Sequence, residues 1–130
     1  MILDSSAILA ILLRERGAED LLSAIVESDF AGIGAPTAAE TGLVLTSRLG
    51  KSSTGDLLRF FNETGIEIVP FTDLHWQRAI DAFARFGKGR HPAALNFGDC
   101  MTYATAALAR QPLLCVGDDF AKTDLELAGR

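Results

Sequence analysis

The sequence predicts an α/β sandwich built on a mainly parallel sheet. Short apolar runs alternate with longer helical segments from one end of the chain to the other, the pattern of strand–helix–strand crossovers. Glycine, proline, hydroxyl and acidic residues punctuate the segments where helices start and stop. The 130 residues, 48% hydrophobic and 22% charged, suit one domain, residues 1–130, with a sizeable core.

Met1–Leu3 reads as a short buried strand, and Ser6–Arg14 as a helix ended by Gly17. Ala18–Ser28 is a second helix, with Leu21, Leu22, Ile25 and Val26 on one apolar face. Ala31–Gly34 reads as a buried strand followed by a Gly34-Ala35-Pro36 turn. A helix then begins at Thr37 and continues to Gly50. Ser53–Thr64 forms another, stopped by Gly65. Apolar and polar residues alternate in Ile66–Val69, a strand closed by Pro70. Thr72 or Asp73 caps a helix reaching Phe86. The stretch "GKGRHPAALNFG" reads as a loop, and the Ala-rich stretch Asp99–Arg110 as a strong helix. "PLLCVG" supplies the last strand, and "DDFAKTDLELA" a closing turn and short helix.

Composition excludes several functions. The longest apolar run, Ala7–Leu13, is too short to span a bilayer, and with no basic segment before it no signal peptide is expected. Cys100 and Cys115 have no C-x-x-C spacing and read as reduced, buried thiols of a cytoplasmic protein. His75 and His91 are too few for a His-based zinc site. A net charge of -5 argues against broad, nonspecific nucleic-acid binding.

Placed on this map, the acids gather where strands end and helices begin. Asp4 follows the first strand. Glu40 falls in the first turn of the helix after the second strand. Asp99 starts the Ala-rich helix, and Asp118 and Asp119 follow the last strand. Each has a local alternative. Asp4 suits an N-cap, Thr37-x-x-Glu40 matches a capping box, Asp99 suits a helix dipole and Asp118-Asp119 a turn. Thr123-x-x-Glu126 repeats the capping pattern, with Asp124 inside it. Taken together, carboxylates sharing one cleft repel one another unless cations intervene, and oxygen ligands without His or Cys suit Mg²⁺ or Mn²⁺. Such ions activate water and stabilise phosphoryl transfer.

Four ordered stretches, "MILDSSAILAIL", "APTAAETGLVL", "LNFGDCMTYATAALA" and "PLLCVGDDFAKTDL", resemble the successive motifs of PIN-domain ribonucleases. They are most similar to those of VapC-type toxins of bacterial toxin–antitoxin pairs. The resemblance runs from Met1 to about Leu125, and "GKGRHPAALNFGDC" is typical of that group. It implies a PIN-domain-like α/β/α sandwich whose acidic pocket binds Mg²⁺ or Mn²⁺ and cleaves RNA endonucleolytically, commonly tRNA or rRNA, inhibiting translation. By the same resemblance the catalytic set is Asp4, Glu40, Asp99 and Asp119. Asp4 and Asp99 are its main metal ligands; Glu40 and Asp119 act directly or through water, and Asp118 is the alternative to Asp119. Ser6 matches a hydroxyl that supports the pocket. The resemblance further implies a cognate VapB-type antitoxin and a homodimer.

Outside that set, Asn96 is placed to hydrogen-bond a pocket carboxylate or to make a turn. Lys88, Arg90 and His91 form the densest basic cluster, suited to phosphate contact at the pocket rim or to a solvated loop. Trp76, Phe83 and Phe86, at helical spacing, read as core or dimer contacts rather than a stacking platform for bases, and Tyr103 reads as packing. Three rival functions fit less well. A receiver-type signalling domain needs paired acids after the first strand, where Asp4 stands alone. A haloacid-dehalogenase-type phosphatase needs an aspartate where Ser6 stands. A noncatalytic, protein-binding PIN-like module has no need of the full acid set.

Overall fold

The computed structural model describes all of residues 1–130. Four short parallel strands, β1 (Ile2–Leu3), β2 (Gly32–Gly34), β3 (Glu67–Val69) and β4 (Leu113–Leu114), form one sheet in the order β3-β2-β1-β4. Six helices cover it: α1 (Ser5–Leu12), α2 (Ala18–Glu27), α3 (Ala35–Leu49), α4 (Thr54–Thr64), α5 (Asp73–Phe86) and α6 (Phe97–Ala109). No helix is long and apolar enough to cross a membrane.

Side-chain alternation along the central strands makes two cores. Ile2 and Leu113 face a cluster with Ala79, Ala82 and Phe86 of α5 and Tyr103, Ala104 and Ala106 of α6. Their neighbours Leu3 and Leu114 face the other side, packing with Ala7 and Ile8 of α1, Ile25 of α2, Leu45 of α3 and Leu57 and Phe61 of α4. This is the period-two geometry of a strand buried on both faces. The α/β/α architecture and the parallel sheet agree with the sequence reading.

Several boundaries differ from that reading. α1 ends at Leu12 rather than Arg14, and Gly17 caps the start of α2 instead of ending α1. α3 begins at Ala35 rather than Thr37, with Gly34 as N-cap and Pro36 in the first turn. Proline is tolerated there because its missing N–H would have had no helical partner, so Gly34-Ala35-Pro36 is a helix start and not a separate turn. Glu40 consequently lies in the second helical turn, and Thr37-x-x-Glu40 is not a capping box. α6 begins at Phe97, capped by Asn96. The closing segment makes only a 3-10 turn, Phe120–Lys122. Asp124 is not part of a helix cap there. It accepts hydrogen bonds from Tyr103 Oη (2.6 Å) and from Arg85 (3.1 Å), tying the end of the chain to α5 and α6. The Tyr103 hydrogen bond, followed by that from Arg85, holds the Asp124 carboxyl below its usual range. Burial, then the Asp124 carboxylate, pushes the Tyr103 phenol up to about 12.

Cys100 and Cys115 are free and buried. Burial raises both thiols, Cys115 to about 11 with a further contribution from Asp4. A thiol held protonated and away from solvent is unreactive. In a thiol-reagent assay at pH 8 the folded protein is expected to react only at the rate at which it opens. Denaturant should release two titratable thiols at once.

Candidate active site

The sheet order places a topological switch point between β1 and β4, where ligands of open parallel sheets collect beyond the carboxyl ends of the strands. Asp4 leaves β1 at this point. It is only 6% exposed and caps α1, and both of its oxygens are engaged. Oδ2 accepts from the Ser6 backbone N–H (3.1 Å) and the Ser6 hydroxyl (2.6 Å), while Oδ1 accepts from the Thr102 hydroxyl (3.0 Å). Ser6 Oγ in turn accepts from the backbone N–H of Val116 (3.0 Å), joining the start of α1 to the loop after β4.

Asp99 sits in the first turn of α6. Asn96 Oδ1 accepts from the Asp99 N–H (2.9 Å), and Asp99 Oδ2 accepts from the Asn96 N–H (3.0 Å), a reciprocal capping box. Cap and site are therefore one geometry at both Asp4 and Asp99. The Asp99 carboxyl is raised from 3.8 to about 6, chiefly by burial and further by the charges of Asp4, Glu40 and Asp119, against the lowering effect of the Asn96 hydrogen bond. Four carboxylates drawn from four separate segments thus share one field.

Glu40 reaches this cluster from the second turn of α3 because Gly98 has no side chain. A Cβ at position 98 would overlap the Glu40 carboxylate. Asp119 is exposed at the start of the 3-10 turn. Its neighbour Asp118 is engaged elsewhere: its Oδ1 lies 3.3 Å from the Arg130 guanidinium, which also donates to the Gly117 carbonyl (2.6 Å).

The basic cluster has its own local roles. Lys88, Arg90 and His91 lie on a loop closed by the Gly87–Leu95 bridge. His91 Nδ1 accepts from the Ala93 N–H (3.0 Å) and its ring stands edge-on to Phe86. Arg90 lies over the Phe83 ring at 5.8 Å, and Lys88 is exposed. Of the aromatic trio, Phe86 belongs to the core, whereas Trp76 and Phe83 are exposed. With Pro36, Ile80, Phe97 and Met101 they line an apolar groove of about 610 Å³ that adjoins Asp99 through Phe97 and Cys100.

The sequence reading gives three residues beside the carboxylates no role in the site: Gly98, Thr37, which it reads only as a helix start and cap, and Thr102. A glycine one residue before a first-turn acid is the only local hint of the first. The two threonines meet each other, and Thr102 meets Asp4, only through the fold.

A parallel α/β/α sandwich with carboxylates gathered past β1 and β4 defines a PIN-domain protein. The PIN domain family model matches residues 1–126, and the chain belongs to that family. Within it, the chain is 48% identical over 130 residues to Ribonuclease VapC36 of Mycobacterium tuberculosis, covering 99% of this chain and 94% of that protein. Two solved structures share the fold at low identity. VapC20 of M. tuberculosis, described as a Sarcin-Ricin loop cleaving toxin, superposes with a TM-score of 0.75 at 13% identity, covering 95% of each chain. VapBC2 of Rickettsia felis, bound to a DNA fragment from its promoter, gives 0.73 at 16% identity, covering 97% of this chain and 95% of that one.

Proposed function

We propose that the protein is a metal-dependent endoribonuclease, the toxin of a toxin–antitoxin pair, cleaving tRNA or rRNA and so inhibiting translation. The observation that carries this reading is the grouping of Asp4, Glu40 and Asp119 around Asp99, with Glu40 admitted by the missing side chain of Gly98; the Asp99 carboxyl there is raised chiefly by burial and further by those three charges. The name of the 48% identical relative supports the activity. The toxin–antitoxin descriptions of structural neighbours support a VapB-type antitoxin as partner. A homodimer would have the exposed face of Trp76, Ile80 and Phe83 available to it.

The donor set fits a hard cation, being entirely carboxylate oxygen. No three His, Cys, Asp or Glu groups converge tightly enough to enclose an ion by themselves. Mg²⁺ keeps several waters and is commonly held through one or two carboxylates. Asp4 and Asp99 would hold it, with Glu40 and Asp119 reaching it directly or through water. When bound, Mg²⁺ or Mn²⁺ supplies positive charge against the phosphate and lowers the pKa of water. Glu40 and Asp119 orient the attacking water. The water gives up a proton to solvent and its oxygen bonds to phosphorus as the bond to the 3′ oxygen breaks; solvent protonates the leaving oxygen, giving a 5′-phosphate and a 3′-hydroxyl. Lys88 and Arg90 are the rim cations for flanking phosphates.

The test is incubation of purified protein with total RNA in Mg²⁺ or Mn²⁺ against EDTA, with the new 5′ ends mapped. Discrete cleavage abolished by EDTA is expected; cleavage indifferent to chelation would refute the metal-dependent reading. A finer test uses Gly98→Ala. The Glu40 carboxylate is the mobile end of a side chain and can swing aside, so stability should stay within about 0.5 kcal/mol of wild type. Activity should fall about 10²-fold because a catalytic group is displaced by about an ångström. Thermal melts and initial cleavage rates measure the two effects separately.

A further inference from the structure

Thr37 and Thr102 are 2% and 0% exposed, and each sends its hydroxyl out of its own helix. The equally buried Thr41 and Thr105 do the ordinary thing, bonding back to the Thr37 and Met101 carbonyls one turn earlier. A hydroxyl has one proton. That of Thr102 goes to Asp4 Oδ1 (3.0 Å), because a carboxylate can only accept. The 3.0 Å contact between the two threonines is therefore a donation from Thr37 to Thr102. The order is Thr37 to Thr102 to Asp4, and it leaves no buried side-chain polar atom unpartnered.

The position of this chain of hydroxyls is what makes it more than packing. Thr37 lies three residues before Glu40 on α3, and Thr102 three residues after Asp99 on α6. Residues at that spacing share a helix face. The relay therefore joins the three elements that carry Asp4, Glu40 and Asp99, one helical turn beneath the carboxylates of α3 and α6. Val has nearly the shape of Thr and would fill the same space without a polar atom to satisfy.

We infer that Thr37 and Thr102 are positioning residues. Their relay fixes the Asp4 carboxylate and sets the spacing of the acid cluster for cation binding. The inference rests on the metal-dependent reading above, and it assigns to Asp4 Oδ1 a support separate from the Ser6 bonds on Oδ2.

The test is Mn²⁺ titration of the purified protein, followed by electron paramagnetic resonance, with kcat and KM for RNA cleavage measured in parallel. Thr102→Val should weaken Mn²⁺ binding about tenfold and lower kcat by a similar factor, the usual scale for supports of a metal ligand, with KM unchanged. Thr102→Ser should restore both. Thr37→Val should weaken Mn²⁺ binding about two- to threefold, since it loosens the donor rather than removing it. The double variant Thr37→Val/Thr102→Val should be no worse than Thr102→Val alone, because Thr37 acts through Thr102. Thr105→Val, which loses a back-bond in the same core, should shift the melting temperature and leave Mn²⁺ affinity unchanged.

Wild-type affinity in folded Thr102→Val would overturn the inference while leaving the nuclease reading intact, and so would failure of Thr102→Ser to restore it. Wild-type protein that binds no Mn²⁺ would overturn both. Should Thr102→Val not fold, wild-type affinity in Thr37→Val would overturn the inference in its place.

Discussion

Asp99→Asn is expected to lose RNA cleavage by about 10²–10³-fold while folding normally, the scale seen when one preorganised electrostatic group is removed from an active site. The substitution is clean for a structural reason. Asp99 Oδ2 accepts one hydrogen bond, from the Asn96 N–H. The amide oxygen of an asparagine can still accept it, so the cap on α6 survives and only the charge is lost. Asp4→Asn is less clean. Both Asp4 oxygens face donors, from Ser6 and from Thr102. An amide NH₂ placed against either set leaves a buried donor unpartnered, at a cost of about 1–3 kcal/mol. Cleavage rates together with thermal melts separate the cases. Asp99→Asn should be inactive at wild-type stability or above, whereas Asp4→Asn should be inactive and destabilised. Full activity in folded Asp99→Asn would remove Asp99 from the catalytic set.

The second large effect is on stability, in the absence of divalent ions. A carboxyl raised from 3.8 to about 6 in the fold binds its proton more tightly folded than unfolded. Its protonated form therefore favours the native state. That contribution is complete below about pH 3.8, shrinks as pH rises through about 6, and is absent above, where the ionised Asp99 is left among Asp4, Glu40 and Asp119. With solvent screening of this partly exposed group allowed for, the change is about 1–2 kcal/mol. Other carboxylates also respond to acid, so the informative quantity is the difference in melting temperature between Asp99→Asn and wild type. It should grow by about 3–8 °C between about pH 4 and pH 7.5. Adding Mg²⁺ at the higher pH should raise the wild-type value and close most of the gap. A difference flat with pH would mean that neither burial nor the neighbouring acids raise the Asp99 carboxyl in the fold.

How far the sequence can be read follows from the range of each interaction. Strands and helices are legible because their signals are local: Gly65 stops α4, apolar runs mark buried strands, and Asp4 sits at the junction of two such runs. The start of α3 is misplaced because Pro36 has two local meanings, turn and first helical turn, and only the chain beyond decides between them. The same ambiguity puts Glu40 one turn too early. Local sequence does not separate the neighbours Asp118 and Asp119, which only the family resemblance ranks; in the fold Asp118 lies against Arg130, twelve residues away. Asn96 is legible as a neighbour of the Asp99 acid because both bonds span three residues, but its side chain caps the Asp99 N–H and its backbone N–H is what meets the carboxylate. The hydroxyl relay is not, since its contacts link residues 65 and 98 apart in sequence and nothing near a threonine marks it as one that will leave its helix.

The alternation of Ile2 and Leu3 between the two cores also bears on how the molecule can fail. A slip of the first strand by one residue would turn each side chain to the opposite layer and carry Asp4 about 3.3 Å along the sheet, away from the Ser6 and Thr102 donors that fix it. Misregistered chains would therefore be defective in packing and disarmed in the same event. Under the toxin reading proposed above, errors of assembly would yield inert molecules rather than a half-folded, active population.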